Sequence, residues 1–244
     1  MIKALFFRRI WLVRHRLLTT IAFMFLLPLF MHISITMVMK NILVRSLDKI
    51  PYEIWVFPGI IFIIASLSTF SLIYRDLFDL RIHKKIFIPI TMTPYSKTHL
   101  IVGFLTTSII ESLVYVIVAM GVLTLLLPEP LDWTAYFFIP IFTFLYTFLL
   151  GNLVITFSVL TDRITTYLSI MMSMFMFILF GSGVLVELEF YPKIIGDILT
   201  YSPLSMILSD LRGIIFFNRV DWSQVFTPIV IAMCWTWLNG YLLK

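Results

Sequence analysis

Charge is scarce in this sequence: 13% of the 244 residues are Asp, Glu, Lys or Arg, about half the share of a typical soluble domain. Cysteine is scarcer still. Cys234 stands alone, which excludes an intrachain disulfide and any cysteine-built zinc or redox motif. No G-x-x-x-x-G-K, H-E-x-x-H or G-x-S-x-G occurs, so phosphate-loop, zinc-peptidase and nucleophile-elbow chemistry have no sequence support. The four histidines, His15, His32, His83 and His99, are too dispersed for a metal site. No catalytic residue, metal or cofactor is expected in this chain.

Apolar residues are plentiful: 61% of the chain is hydrophobic and the mean hydropathy is +1.03. Such an excess cannot be buried inside a water-soluble globule of this length, so a bilayer is the expected solvent. Spanning about 30 Å of hydrocarbon takes about 20 mainly apolar residues at about 1.5 Å each. Six runs qualify: Leu17 to Met39, Ile54 to Tyr74, Leu100 to Leu126, Thr134 to Leu160, Thr166 to Val186 and Val225 to Leu243. Only Glu111 interrupts them with a charge. They lack the alternation of barrel strands, so each is predicted to be a helix. The first run is longer than the about 7 to 15 residues of a signal-peptide core and precedes no cleavage site. It is expected to be a retained anchor.

Orientation follows from Lys and Arg on alternate sides of the six spans. Twelve lie on the side of both termini and six on the other; with the acids included, the two faces carry +9 and −3. Both ends are therefore expected in the cytoplasm, and the +5 net charge is read as a topology signal, with no nucleic-acid partner. Tryptophan prefers headgroup level. Trp55, Trp133 and Trp222 fall at outer helix ends in this scheme, and Trp11, Trp235 and Trp237 toward the inner face.

Three apolar stretches do not span. Residues 1–16 carry Ile2, Leu5, Phe6, Ile10 and Val13 at helical spacing, a stripe that Leu17 continues, with Arg9 and Arg16 near its edge; they read either as an interfacial helix or as a basic flank that only fixes topology. Residues 75–99 begin with mixed charge, turn apolar from Ile86 to Met92, and close on Thr93-Pro94-Tyr95-Ser96-Lys97, which breaks one helix and starts another. A short packed helix is expected there, against the alternative of a solvated loop. Residues 187–221 are too apolar for a free loop. Ser202-Pro203 predicts a helix start, and a hairpin dipping into the outer leaflet is expected, because neither half is long enough to cross.

Glu111 is the only carboxylate deep in a span. It is either a functional acid or one that stays protonated, or pairs with a neighbouring hydroxyl such as Thr106 or Ser108, and only steadies packing.

Several motifs, weak singly, occur in a telling order: Phe57-Pro58-Gly59 opening the second span, Ile90-Thr91-Met92-Thr93-Pro94-Tyr95-Ser96 before the third, Ile101-Val102-Gly103 within it, and Tyr201-Ser202-Pro203-Leu204-Ser205 followed by Asp210-Leu211-Arg212 before the last. The chain resembles the permeases of type-2 ATP-binding-cassette (ABC) exporters along nearly its full length. The resemblance implies an all-α, six-span permease in a bacterial inner (plasma) membrane, pairing as a homodimer through the first and fifth spans. A cytoplasmic ABC ATPase, in two copies, would bind the ATP and Mg that this chain does not.

By the same resemblance, residues 75–99 become a coupling region for the ATPase, with Arg75, Asp76, Asp79, Arg81, His83, Lys84, Lys85 and Pro94 as candidate contacts. Pro203, Asp210 and Arg212 mark the outer hairpin. Phe30, Phe57, Phe62, Phe175 and Phe177 are candidates for lining a path taken by a glycolipid or polysaccharide, a lipid or a drug. A second class is a proton-coupled carrier of two inverted halves that uses Glu111.

Overall fold

The computed structural model describes residues 2–43, 46, 49–85 and 96–243, with the side chain of residue 2 excepted. Among the described residues nearly all regular structure is helical. Helix α1 (Ile2–His15) turns at Arg16 into α2 (Leu17–Met39), and α3 (Tyr52–Ile82), α4 (Lys97–Thr124), α5 (Trp133–Leu160) and α6 (Ile164–Gly181) follow. A short 3-10 turn at Leu188–Phe190 leads to α7 (Lys193–Thr200), α8 (Pro203–Phe217) and α9 (Trp222–Leu242). Six of these, α2 to α6 and α9, are long and apolar enough to cross a membrane. The pair α7 and α8 is bent by 85°. At 8 and 15 residues, or about 12 and 22 Å, neither helix crosses about 30 Å of hydrocarbon.

Helix α3 is the axis of the bundle. From Val56 to Ala65 every residue is buried, and α4, α5 and α8 pack around it, with α2 and α6 on its flanks. A helix apolar on all sides is one that neighbours enclose on all sides. Helix α9 closes against α4 and α5. By contrast, only 22% of the most apolar stretch of α2, and of α6, is buried.

The chain dictates where these helices start, stop and bend. Ser96 caps α4, its Oγ accepting from the His99 amide at 3.3 Å. Asp221 caps α9 through the Ser223 amide at 3.0 Å. Pro203 opens α8 at its first position, and Asn218, in the left-handed conformation, ends it. In α2, Pro28 removes one backbone donor, and a π-helical stretch follows at His32–Thr36. Helix α3 carries a second π-helical stretch at Tyr74–Phe78. There the helix runs on past its apolar segment to Ile82, because charge ends a hydrophobic run without ending a helix.

Small and polar residues clamp the spans together, as expected where water cannot compete. Ser66 and Tyr146 hydroxyls meet at 2.7 Å, and those of Ser68 and Ser112 at 2.8 Å. Asn239 Nδ2 donates to the Asn152 carbonyl at 3.0 Å, and Trp235 Nε1 donates to Thr156 Oγ1 at 2.8 Å. Glycine permits one close approach: a Cβ on Gly59 would sit 2.7 Å from the Val184 carbonyl oxygen. This brings the segment after α6 onto the start of α3.

Candidate functional site

Where α1 meets α3 and α4, the fold gathers a buried charge cluster. Arg9 lies on the inward face of α1 and is 5% exposed; Asp76, in the π-helical stretch of α3, is 1% exposed. The Arg9 guanidinium is ion-paired with both Asp76 and Glu111 of α4, and its Nη2 donates to Ser108 Oγ at 3.1 Å. Arg75 reaches Asp76 at 3.3 Å and Glu111 at 3.2 Å, and Arg8 approaches Asp76 at 4.0 Å. Burial pushes the Arg9 guanidinium below its ordinary value, and the two carboxylates oppose that shift. Asp76 lies 24 residues after Tyr52, about 36 Å along α3 and so beyond a single hydrocarbon thickness. The cluster lies past the wholly buried stretch Val56–Ala65 of α3, with Leu77, Phe78 and Leu80 still buried after it.

Glu111, the acid that interrupts a span, is therefore held by two arginines, one of them from outside the spans. In the sequence Arg9 reads only as an imperfection in an amphipathic stripe. A signal was present, however: a cation breaking the apolar face of one helix and an acid breaking another complement each other. The structure turns Leu5 and Arg9 inward and leaves Phe6 and Ile10, members of the expected stripe, exposed.

The remaining candidate coupling residues follow along the end of α3. Asp79 pairs with Lys84 at 3.0 Å and faces His83 at 3.4 Å. Arg81 donates to the carbonyls of Val159, at 2.7 Å, and Thr161, and meets Asp162 at 3.1 Å. It thereby caps the C-terminal carbonyls of α5, a favourable place for a cation. Nearby, Phe78 stacks on Tyr74 and Tyr167, with centroids 5.6 and 4.6 Å away. His83, Lys84 and Lys85 are exposed. Pro94 and the stretch from Ile86 to Met92 lie outside the described residues.

At the opposite end, Arg212 of α8 lies 3.5 Å over the ring of Trp55. It donates to the carbonyls of Gly183 at 2.6 Å and Val184 at 3.2 Å. Burial lowers its pKa to about 9. Trp55, assigned to headgroup level from its place in the sequence, is 4% exposed beneath it. Asp210 Oδ1 accepts from the Asp221 amide at 2.8 Å, tying α8 to α9. Burial raises the Asp210 carboxyl above its usual range. A cavity of about 320 Å³ opens beside these groups, bordered by Glu187, Glu189, Thr200, Ser205 and Ser209.

The five candidate phenylalanines do not converge. Phe57 and Phe62 are core residues, Phe62 stacked on Tyr146 at 4.3 Å. Phe30 is 63% exposed on α2, and Phe175 and Phe177 lie on α6. Phe177 borders an apolar groove of about 470 Å³ with Leu149, Leu153, Met174, Pro203 and Trp235. Among the described residues, no three or more of His, Cys, Asp and Glu are grouped to hold a metal ion.

Comparison with curated proteins finds no match. The family model described as ABC-2 type transporter matches residues 1–216, most of the chain. Its members are multi-pass membrane permeases without an ATPase domain, working with ABC ATPase partners. With six span-length helices built around α3 and a family match over most of its length, this chain belongs to the ABC-2 type transporter family.

Proposed function

We propose that the chain is the membrane subunit of an ATP-driven exporter, moving an amphipathic or glycan-bearing substrate out of the cytoplasm or inner leaflet. Both termini and residues 75–99 face the cytoplasm, where a separate ATPase, one per permease copy, binds ATP and Mg. The bent pair α7 and α8 lies toward the outer face. Two copies pair through α2 and α6, whose apolar sides are largely uncovered within one chain.

One observation carries this reading: the continuity of α3. A single helix joins the surface charges near Asp79 to the bundle axis at Val56–Ala65, and Asp76 ties α1 to it. A displacement applied by the ATPase at residues 79–85 is thus passed to the core and to α1 as one body. Arg81 extends the same body to α5. The carrier reading has no comparable support, because the Glu111 carboxylate is engaged by two guanidinium groups.

Co-purification tests this assignment. Lys84→Ala combined with Lys85→Ala should lower the ATPase recovered with the permease by about tenfold, with no change in the thermal midpoint of the permease. Undiminished recovery would remove residues 79–85 from the contact.

A further inference from the structure

Helix α1 uses one face and leaves the other bare. Leu5 and Arg9 turn toward the bundle. On the far side, Lys3, Phe7, Ile10 and Arg14 follow at steps of four, three and four residues, which places them along one line of the helix. Phe6 and Trp11 flank that line. Phe7 is 68% exposed and Trp11 63%, large values for rings that would otherwise be buried. No carboxylate occurs in the sequence before Asp48, so the cations on this face have no acid beside them on α1 or α2. Arg16 alone separates α1 from the span-length α2, which keeps α1 within about a turn of where the chain enters the hydrocarbon. The pairing of Arg9 with Asp76 and Glu111 fixes the rotation of α1, and so fixes which residues face outward.

We propose that this outward face binds anionic phospholipid: Phe6, Phe7, Ile10 and Trp11 enter the headgroup boundary, while Lys3 and Arg14 pair with negatively charged headgroups. Rings alternating with cations, with no acid nearby, match the chemistry of an anionic bilayer surface. A groove on a soluble partner would have to supply both a deep apolar slot and carboxylates in register. The proposal shares with the exporter reading the placing of α1 at the membrane, but requires neither ATPase nor cargo.

The full chain, in nanodiscs of phosphatidylcholine with about one-third phosphatidylglycerol, provides the test, with co-purifying lipid counted by mass spectrometry. Phosphatidylglycerol should be retained preferentially, and the preference should weaken as salt is raised. Each cation near an anionic surface contributes about fivefold. Lys3→Gln with Arg14→Gln should therefore lower the preference by about tenfold or more, whereas Phe7→Ser with Trp11→Ser should lower retention of both lipids. Equal retention of the two lipids by the unaltered chain would overturn the proposal, as would a preference indifferent to salt. If the charge variant kept its lipids but lost a co-purifying ATPase, the face would be a protein interface and the proposal wrong. ATPase association that is absent throughout, with lipid preference intact, would count against the exporter reading alone.

Discussion

The guanidinium carbon of Arg212 lies 3.5 Å over the ring of Trp55, joining α8 to the start of α3. The same guanidinium donates to two backbone carbonyls of the segment after α6. Replacing it by Met keeps most of the stem but leaves both carbonyls without this donor. Arg212→Met should cost about 2–4 kcal/mol, seen as a lowered thermal midpoint in detergent. Arg212→Lys should recover only part of the loss, because an ammonium cannot serve both carbonyls and the ring with a planar fork.

Removing Arg9 leaves two carboxylates in a buried site. Arg9→Gln should destabilise the chain by about 3–5 kcal/mol, and amide exchange across residues 2–15 should rise as α1 loosens. Adding Glu111→Gln should restore part of that loss. Additive effects of the two changes would show that the pair is not coupled.

Asp210 supplies a pH test. Its folded-state carboxyl is raised by burial, so the folded chain holds this proton more tightly than the unfolded chain does. Stability from this group should therefore grow as pH falls through the raised value, and the gain should be complete below the ordinary value of 3.8. Asp221 has the opposite sign, lowered chiefly by hydrogen bonds from Ser223; its cap on α9 is lost in acid. The difference in thermal midpoint between the parent and Asp210→Asn isolates the first effect. It should favour Asp210→Asn at neutral pH and shrink on acidification.

Gly59 has no room for a methyl group, since the nearest atom is a backbone oxygen that cannot rotate away. Gly59→Ala should cost about 1–3 kcal/mol. Gly121→Ala, where nothing lies within 4 Å, should be neutral or slightly stabilising. Thermal midpoints of the two variants make the comparison.

Much of this architecture was legible in the sequence because lipid imposes a simple rule: a long apolar run must be a helix. Six span-length helices and the Ser202-Pro203 start of α8 follow from that rule and from cap chemistry. The buried cluster was not legible in the same way. Arg9 and Glu111 are 102 residues apart, and periodicity along one helix carries no information about which face of another it meets. Trp55 shows the same limit: its place near a helix end carries no information about Arg212, which α8 folds over it. Residue type alone does not distinguish the five candidate phenylalanines from the rest of the 24, and two of them, Phe57 and Phe62, fill the axis of the bundle.

The π-helical stretch at Tyr74–Phe78 also sets the rotational phase of everything after it. A π turn takes in one residue more than an α turn, so the side chains beyond it are offset by about 100° from the pattern that precedes it. Asp79 and Arg81 owe their bearing to that offset. Deleting a single residue within 74–78 would leave a continuous helix but swing Arg81 away from the end of α5. The length of this short stretch, more than its composition, keeps the charged end of α3 in gear with its neighbour.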